Sequence, residues 1–255
     1  SIKLLTWALG KYSKGAVKMH TLLDLRGSIP TFIHITHGKW HDSNVLDTMT
    51  LSPFAIYAMD KAYVDFAALF RIDQCNAYFV TRAKDNMQFE ILEKNYNLDE
   101  TIGLRGDYFI KLTGYKSARL YPKILRMVEY YDSENEEELR FITNHDEISA
   151  LEVANIYRNR WQIEVFFKWI KQNLTVKTLW GYTENAVKTH LWMAICTYLV
   201  VARIKATYKS PYTITECAKL LSVSALEKTD MKELLTLNEP LNQNQNVKEL
   251  SLFDF

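Results

Sequence analysis

Cysteine is scarce in this sequence, and its three copies are too scattered to organise a small fold. Cys75, Cys196 and Cys217 have neither the close spacing of a zinc site nor the even count of a disulfide framework, which suits a reducing cytoplasm. Excess charge is missing too: 31 Lys and Arg stand against 30 Asp and Glu, a formal +1, so the chain is no uniformly basic nucleic-acid module. Long hydrophobic runs are absent. The most apolar stretch, Leu191 to Ala202, is shorter than a bilayer span, and the N-terminus as given has no signal-like pattern. That stretch reads as a buried helix, and no membrane partner is expected. There is no internal repeat, and no low-complexity segment beyond a polar tail after Gln243.

What is present points to a sizeable core. Apolar residues make up 48% of 255, enough for one domain or for a core with an inserted subdomain. The near-zero net charge hides local bias. Six basic residues before Trp40 (Lys3, Lys11, Lys14, Lys18, Arg26 and Lys39) face a single acid, Asp24, whereas Glu134, Glu136, Glu137 and Glu138 crowd one turn-like segment.

Patterning along the chain predicts a mixed α/β fold. Val17 to Leu25 and Ile29 to Thr36 flank Arg26-Gly27-Ser28 as a hairpin. Asp42-Ser43-Asn44 offers caps for a short helix to about Leu51, so Asp42 is read as a cap rather than as half of a His41-Asp42 dyad. A buried strand, Phe54 to Met59, ends at Asp60, which from the residues alone reads as a cap of the following turn or helix rather than as a catalytic acid. A helix over about 64–72 and a strand at Ala77 to Thr81 follow, with Asp65 inside that helix facing solvent. His20 and His34 read as strand residues with satisfied hydrogen bonds. Short alternating runs such as Tyr108 to Leu112, Leu120 to Val128 and Leu139 to Thr143, punctuated by Gly103, Gly106 and Gly114, make the next region β-rich. Ser149 caps a long helix to about Leu174, and a second long helix covers about Glu184 to Tyr208.

The first long helix carries the chemistry. At about 100° per residue, Tyr157, Arg160, Lys168 and Lys171 all fall within roughly 40° of Glu164. The neighbouring positions are apolar: Ile156, Ile163, Phe167, Ile170 and Leu174 on one side, Trp161, Val165 and Trp169 on the other. A solvated face is normally wider and flanked by polar residues. Two readings stand: a ladder of i,i+4 ion pairs through Arg160, Glu164 and Lys168, or a carboxylate in a cleft that holds a divalent metal while the cations hold phosphates.

The spacing of Tyr157, Arg160, Glu164 and Lys171 resembles the Y-x-x-R-x-x-x-E-x-x-x-x-x-x-K signature of insertion-sequence transposases of the DDE superfamily. The resemblance extends to KGAVKMHTLLDLRGSIP, HGKWHDS, AMDKAYVDF, YFVTRAK and RWQIEVFFKWIKQNL. It implies a ribonuclease H-like mixed sheet flanked by helices, with a β-rich insertion before the last catalytic helix. On this reading residues 1–84 form the first part of the core, 85–145 the insertion, 146–210 the catalytic and following helices, and 211–255 a helical tail. It further implies Asp60 and Glu164 as catalytic acids and ligands of Mg²⁺ or Mn²⁺, and Tyr157, Arg160, Lys168 and Lys171 as DNA contacts. Trp161 is either a base-stacking residue or a core tryptophan. The implied partner is double-stranded DNA at transposon ends, bound by a homodimer in the bacterial cytoplasm.

The family's first aspartate has no counterpart here and is expected a few residues before Ser1. Asp24 is a weaker substitute, and the chain as given is expected to bind DNA without cleaving it. A DNA-binding remnant without activity and a general metal-dependent nuclease of the same fold are the competing readings.

Overall fold

A computed structural model describes residues 17–96, 98–174, 181 and 183–236. Lys3, Lys11, Lys14 and the polar tail lie outside the described residues. The expected hairpin is present: β1 (Val17–Asp24) pairs antiparallel with β2 (Ile29–His37), from Val17 opposite His37 to Asp24 opposite Ile29. Asp24 closes the turn, accepting the Arg26 backbone N–H at 3.0 Å and its guanidinium at 3.2 and 3.3 Å. The left-handed residue of this turn is Ser28, at φ 51°.

Asp42 does not cap the next segment. His41 is the N-cap of a 3₁₀ turn over Asp42–Asp47 and makes no side-chain bond there; Asp42 lies inside it and accepts Lys18 Nζ at 3.0 Å. Ion pairing has drawn the carboxylate away from the backbone donors that capping would use.

The main sheet has six strands: β3 (Ile56–Met59), β4 (Tyr78–Arg82), β5 (Phe89–Lys94), β6 (Leu104–Leu112), β7 (Leu125–Asp132) and β8 (Glu137–Thr143). β3 starts two residues later than expected because Phe54 sits at φ 63°, its N–H donating to Asn76 O at 2.8 Å. β3 and β4 are parallel and joined by helix α1 (Phe66–Gln74). Asp65 is not inside α1: its carboxylate caps it, accepting from the N–H groups of Ala67 and Ala68.

Strand order is β3-β4-β8-β7-β6-β5, with every pair after β3-β4 antiparallel. The β-rich region therefore continues the same sheet. The expected run Leu120 to Val128 divides, since helix α2 (Tyr115–Leu120) ends where it begins and β7 starts only at Leu125.

Alternation along the strands builds two hydrophobic layers. Phe79, Met127 and Ile142 point to a layer shared with Leu69 and Ile72 of α1. Their neighbours Val80, Val128 and Phe141 point to the other, shared with Val153 and Ala154 of helix α3 (Ala150–Arg158). On that second side lies a buried ion pair. Arg126 on β7 donates to both oxygens of Asp107 on β6, at 2.8 and 2.9 Å, and also to the carbonyls of Asp146 and Ile148 just before α3. Ser149 then caps α3 in a reciprocal box with Glu152.

The expected single helix to Leu174 is broken. α3 ends at Arg158, a 3₁₀ turn covers Asn159–Trp161, and α4 runs over Gln162–Asn173.

Contacts divide the chain into two units, one of Ser1–Lys168 with Gly181–Ala186, the other of Trp169–Trp180 with Val187–Phe255. In the second, helix α5 (Glu184–Thr207) packs through Val201 against α6 (Ile214–Val223) and α7 (Met231–Leu235), with Cys217 and Leu235 buried between them. α5 is one-sided rather than wholly buried as expected: Ala194, Ile195 and Tyr198 are covered, while Trp192, Met193 and Val200 are exposed.

Candidate active site

The parallel pairing of β3 with β4 sets Met59 beside Thr81, so Asp60 and Arg82 stand next to each other at the carboxyl ends of these strands. Crevices outside strand carboxyl ends are where α/β sheets place ligands. Asp60 also caps the 3₁₀ turn Lys61–Tyr63, its Oδ1 accepting the Ala62 N–H at 3.0 Å. Capping uses one oxygen, and the other faces Arg160 at 3.9 Å.

Arg160 joins the two acids. Its Nη2 donates to Glu164 Oε1 at 2.9 Å, so one guanidinium reaches carboxylates that are far apart in sequence. Arg160 Nε is buried and has no partner among the described residues. The carboxylates keep access to solvent, with side-chain exposures of 40% for Asp60 and 64% for Glu164.

The 3₁₀ turn changes what an unbroken helix would present. Tyr157 turns inward and packs on Phe141 with ring centroids 4.8 Å apart, while the Arg160 guanidinium lies 5.6 Å from its ring. Burial pushes the Tyr157 hydroxyl above the ordinary tyrosine range against the pull of Arg160, so at neutral pH it is a protonated donor. Trp161 is 53% exposed, which corrects the core alternative. Of the expected ion-pair ladder only the Arg160–Glu164 rung forms. Lys168 and Lys171 are exposed and have no ion pair among the described residues, Lys168 in the first unit and Lys171 in the second.

A cavity of about 510 Å³ opens onto Asp60, Tyr157, Arg160 and Trp161. Its wall includes two cations that the sequence reading passed over, Arg82 and Arg158. For Arg82 a signal was available: a cation at the end of the strand following the Asp60 strand. Asp24 is held in its own hairpin turn by Arg26, which keeps its carboxyl below the usual range. Among the described residues no three His, Cys, Asp or Glu side chains gather as a metal cluster.

His20, Thr36, Tyr63 and Asp42 form a second polar group. His20 Nε2 lies 3.0 Å from Thr36 Oγ1, and its Nδ1 lies 3.4 Å from the Tyr63 hydroxyl and 3.8 Å from Asp42. The histidine beside Asp42 is thus His20, from the hairpin, and not its sequence neighbour His41. His34 contacts Phe32 and Trp40 through its ring.

Residues 3–200 match the family described as Transposase DDE domain. The chain belongs to this family. DDE transposases act on DNA and use divalent metal ions. Relatives include a protein of Sinorhizobium fredii named as the transposase y4zB, 29% identical over 203 residues, 78% of this chain and 56% of its own. A Geobacillus stearothermophilus protein named as the transposase of insertion sequence element IS5377 is 33% identical over 197 residues, 77% of this chain and 52% of that one. A Synechocystis protein named as the transposase of IS4SA is 27% identical over 88% of this chain and 63% of its own. The chain therefore spans about half the length of the first two of these transposases. Its mixed sheet flanked by helices is the ribonuclease H-like arrangement of DDE transposases.

Proposed function

We propose that this chain is catalytic-domain sequence of an insertion-sequence transposase, in which Asp60 and Glu164 hold the metal and the surrounding cations hold the DNA. The observation that carries this reading is Arg160, which binds Glu164 and faces Asp60. Arg160 thus links carboxylates from two distant parts of the sequence, one of them at the end of a parallel strand.

The donor set suits a hard cation. Two partly exposed carboxylates with water filling the remaining positions are a common Mg²⁺ arrangement, and Mn²⁺ accepts the same oxygen ligands. When bound, the metal supplies charge neutralisation at the scissile phosphate and a more acidic water or 3′-hydroxyl. A third acid completes the set in the family, and no described residue is assigned to it.

The chain's own residues do the rest. Arg160 keeps the two carboxylates from repelling each other and turns to phosphate when they take up a cation. Tyr157, protonated, donates to the backbone near the strand end. Lys168 and Lys171 neutralise phosphates, which positions DNA but reads little sequence. Trp161, exposed at the cavity rim, offers a face for an unstacked base. The partner is double-stranded DNA at insertion-sequence ends, bound by a pair of protomers in the cytoplasm.

Mn²⁺ titration by calorimetry tests the acids: Asp60→Asn and Glu164→Gln each weaken binding about tenfold or more, as loss of a direct ligand should. Unchanged Mn²⁺ affinity in both variants sinks the assignment. In duplex binding, Lys168→Ala and Lys171→Ala each reduce the salt slope by about one unit.

A further inference from the structure

The cavity beside Asp60 is walled on its far side by the turn between β7 and β8. This is the segment Asp132-Ser133-Glu134-Asn135-Glu136-Glu137, which carries four carboxylates. Asp132 and Glu137 are direct cross-strand partners. Like charges in that position destabilise a hairpin unless something offsets them.

The offset comes from the arginines of the cavity wall. Arg82 Nη2 donates to Glu137 Oε1. Arg158 donates to the Tyr130 hydroxyl at 3.0 Å, its guanidinium 6.0 Å from that ring. The turn is otherwise closed by its own bonds. Asp132 accepts the Glu134 N–H at 3.0 Å and Asn135 Nδ2 at 2.9 Å; these bonds, Asn135 foremost, keep its carboxyl below the usual range, and Arg158 adds to the effect.

Of these two guanidiniums, that of Arg82 is therefore engaged by a protein carboxylate and that of Arg158 by the Tyr130 hydroxyl. The Arg82–Glu137 contact is partly solvated, with side-chain exposures of 27% and 51%. A pair of this kind contributes at most about 1 kcal/mol, so an incoming phosphate exchanges with the carboxylate at little cost.

We propose that the β7–β8 turn is a built-in competitor for the DNA backbone, its Glu137 holding Arg82 until a phosphate displaces it. This rests on the reading of the cavity as the DNA site, and adds that an acidic strap regulates entry. Nonspecific polyanion binding is held down in the free protein. A duplex that fills the site releases Arg82 from Glu137.

The experiment is fluorescence anisotropy of a labelled duplex with the whole chain, over a range of salt, for Glu137→Gln, Arg82→Gln and the double variant. Glu138→Gln serves as a control that removes the same charge one residue further along. Glu137→Gln should tighten binding by about fivefold at low salt, the upper end of what one partly exposed pair allows. Arg82→Gln should weaken binding, and adding Glu137→Gln to it should restore nothing, since the two act through one contact. Tightening by Glu138→Gln equal to that by Glu137→Gln, or tightening that persists without Arg82, would mean a general charge effect and overturns the strap. Binding by wild type with no response to Glu137→Gln overturns the strap alone. Binding by neither removes the DNA reading as well.

Discussion

His20 is held where its charged form is disfavoured. Burial lowers its pKa from 6.5, an effect that Asp42 opposes and that Lys18 and His34 reinforce. The Tyr63 hydroxyl, pushed by burial up to about 12, keeps its proton and can donate to Nδ1, leaving Nε2–H to donate to Thr36. Because the folded pKa lies below the unfolded one, the stabilising contribution is complete above pH 6.5 and declines as pH falls through the folded value. Urea midpoints should drop on acidification below about pH 6.5, and His20→Gln should flatten that part of the profile. An identical slope in the variant would assign the acid sensitivity elsewhere. Such partnerships could not be read from spacing. Asp42 follows His41 in sequence, yet the 3₁₀ turn carries it to Lys18 and within 3.8 Å of His20. Asp60 and Glu164 could be proposed from the sequence because each lies in a short local pattern, Asp60 at the end of an apolar run and Glu164 in the Tyr157, Arg160, Glu164, Lys171 spacing. Arg82 with Glu137 joins two distant strands, and no local pattern announces it.

Among the elements, those with strong local signals came through. Ser149 with Glu152 is a capping box written in the sequence, and the hairpin is bounded by Asp24 and Ser28. The break between α3 and α4 has no such marker, since Asn159-Arg160-Trp161 contains neither proline nor glycine. Its effect is large: it packs the Tyr157 ring on Phe141 while Tyr157 and Arg160 both line the cavity. Nor does alternation say which strand pairs with which, so the joining of the β-rich region to β4 became visible only in the fold. What ties that region to the start of α3 is Arg126, which donates to the Asp146 and Ile148 carbonyls and pairs with Asp107, the two side chains only 8% and 5% exposed. Asp107→Ala leaves a buried guanidinium uncompensated and should cost about 3–5 kcal/mol in equilibrium unfolding. Asp107→Leu combined with Arg126→Met should recover part of it, because the apolar replacements need no partner while the Asp146 and Ile148 carbonyls lose their donor. Equal loss in the single and double variants would show that packing, not the unpaired charge, dominates.

At the level of the whole molecule, the six-stranded sheet ends differently on its two sides. β5 carries Glu90, Glu93 and Lys94 along its length, charges that discourage another strand from docking. β3 reads Ile-Tyr-Ala-Met and, among the described residues, pairs only with β4. Ile56 on it is 39% exposed. Light scattering should therefore show particle size rising with protein concentration, and Ile56→Lys should suppress the rise. Growth unaffected by that change would place the association elsewhere. Asp60 directly follows β3, so an aggregate that grows along this strand also buries the candidate metal ligand. Preparations that thicken on storage should lose Mn²⁺ uptake in step with their turbidity, and dilution early in that process should restore both.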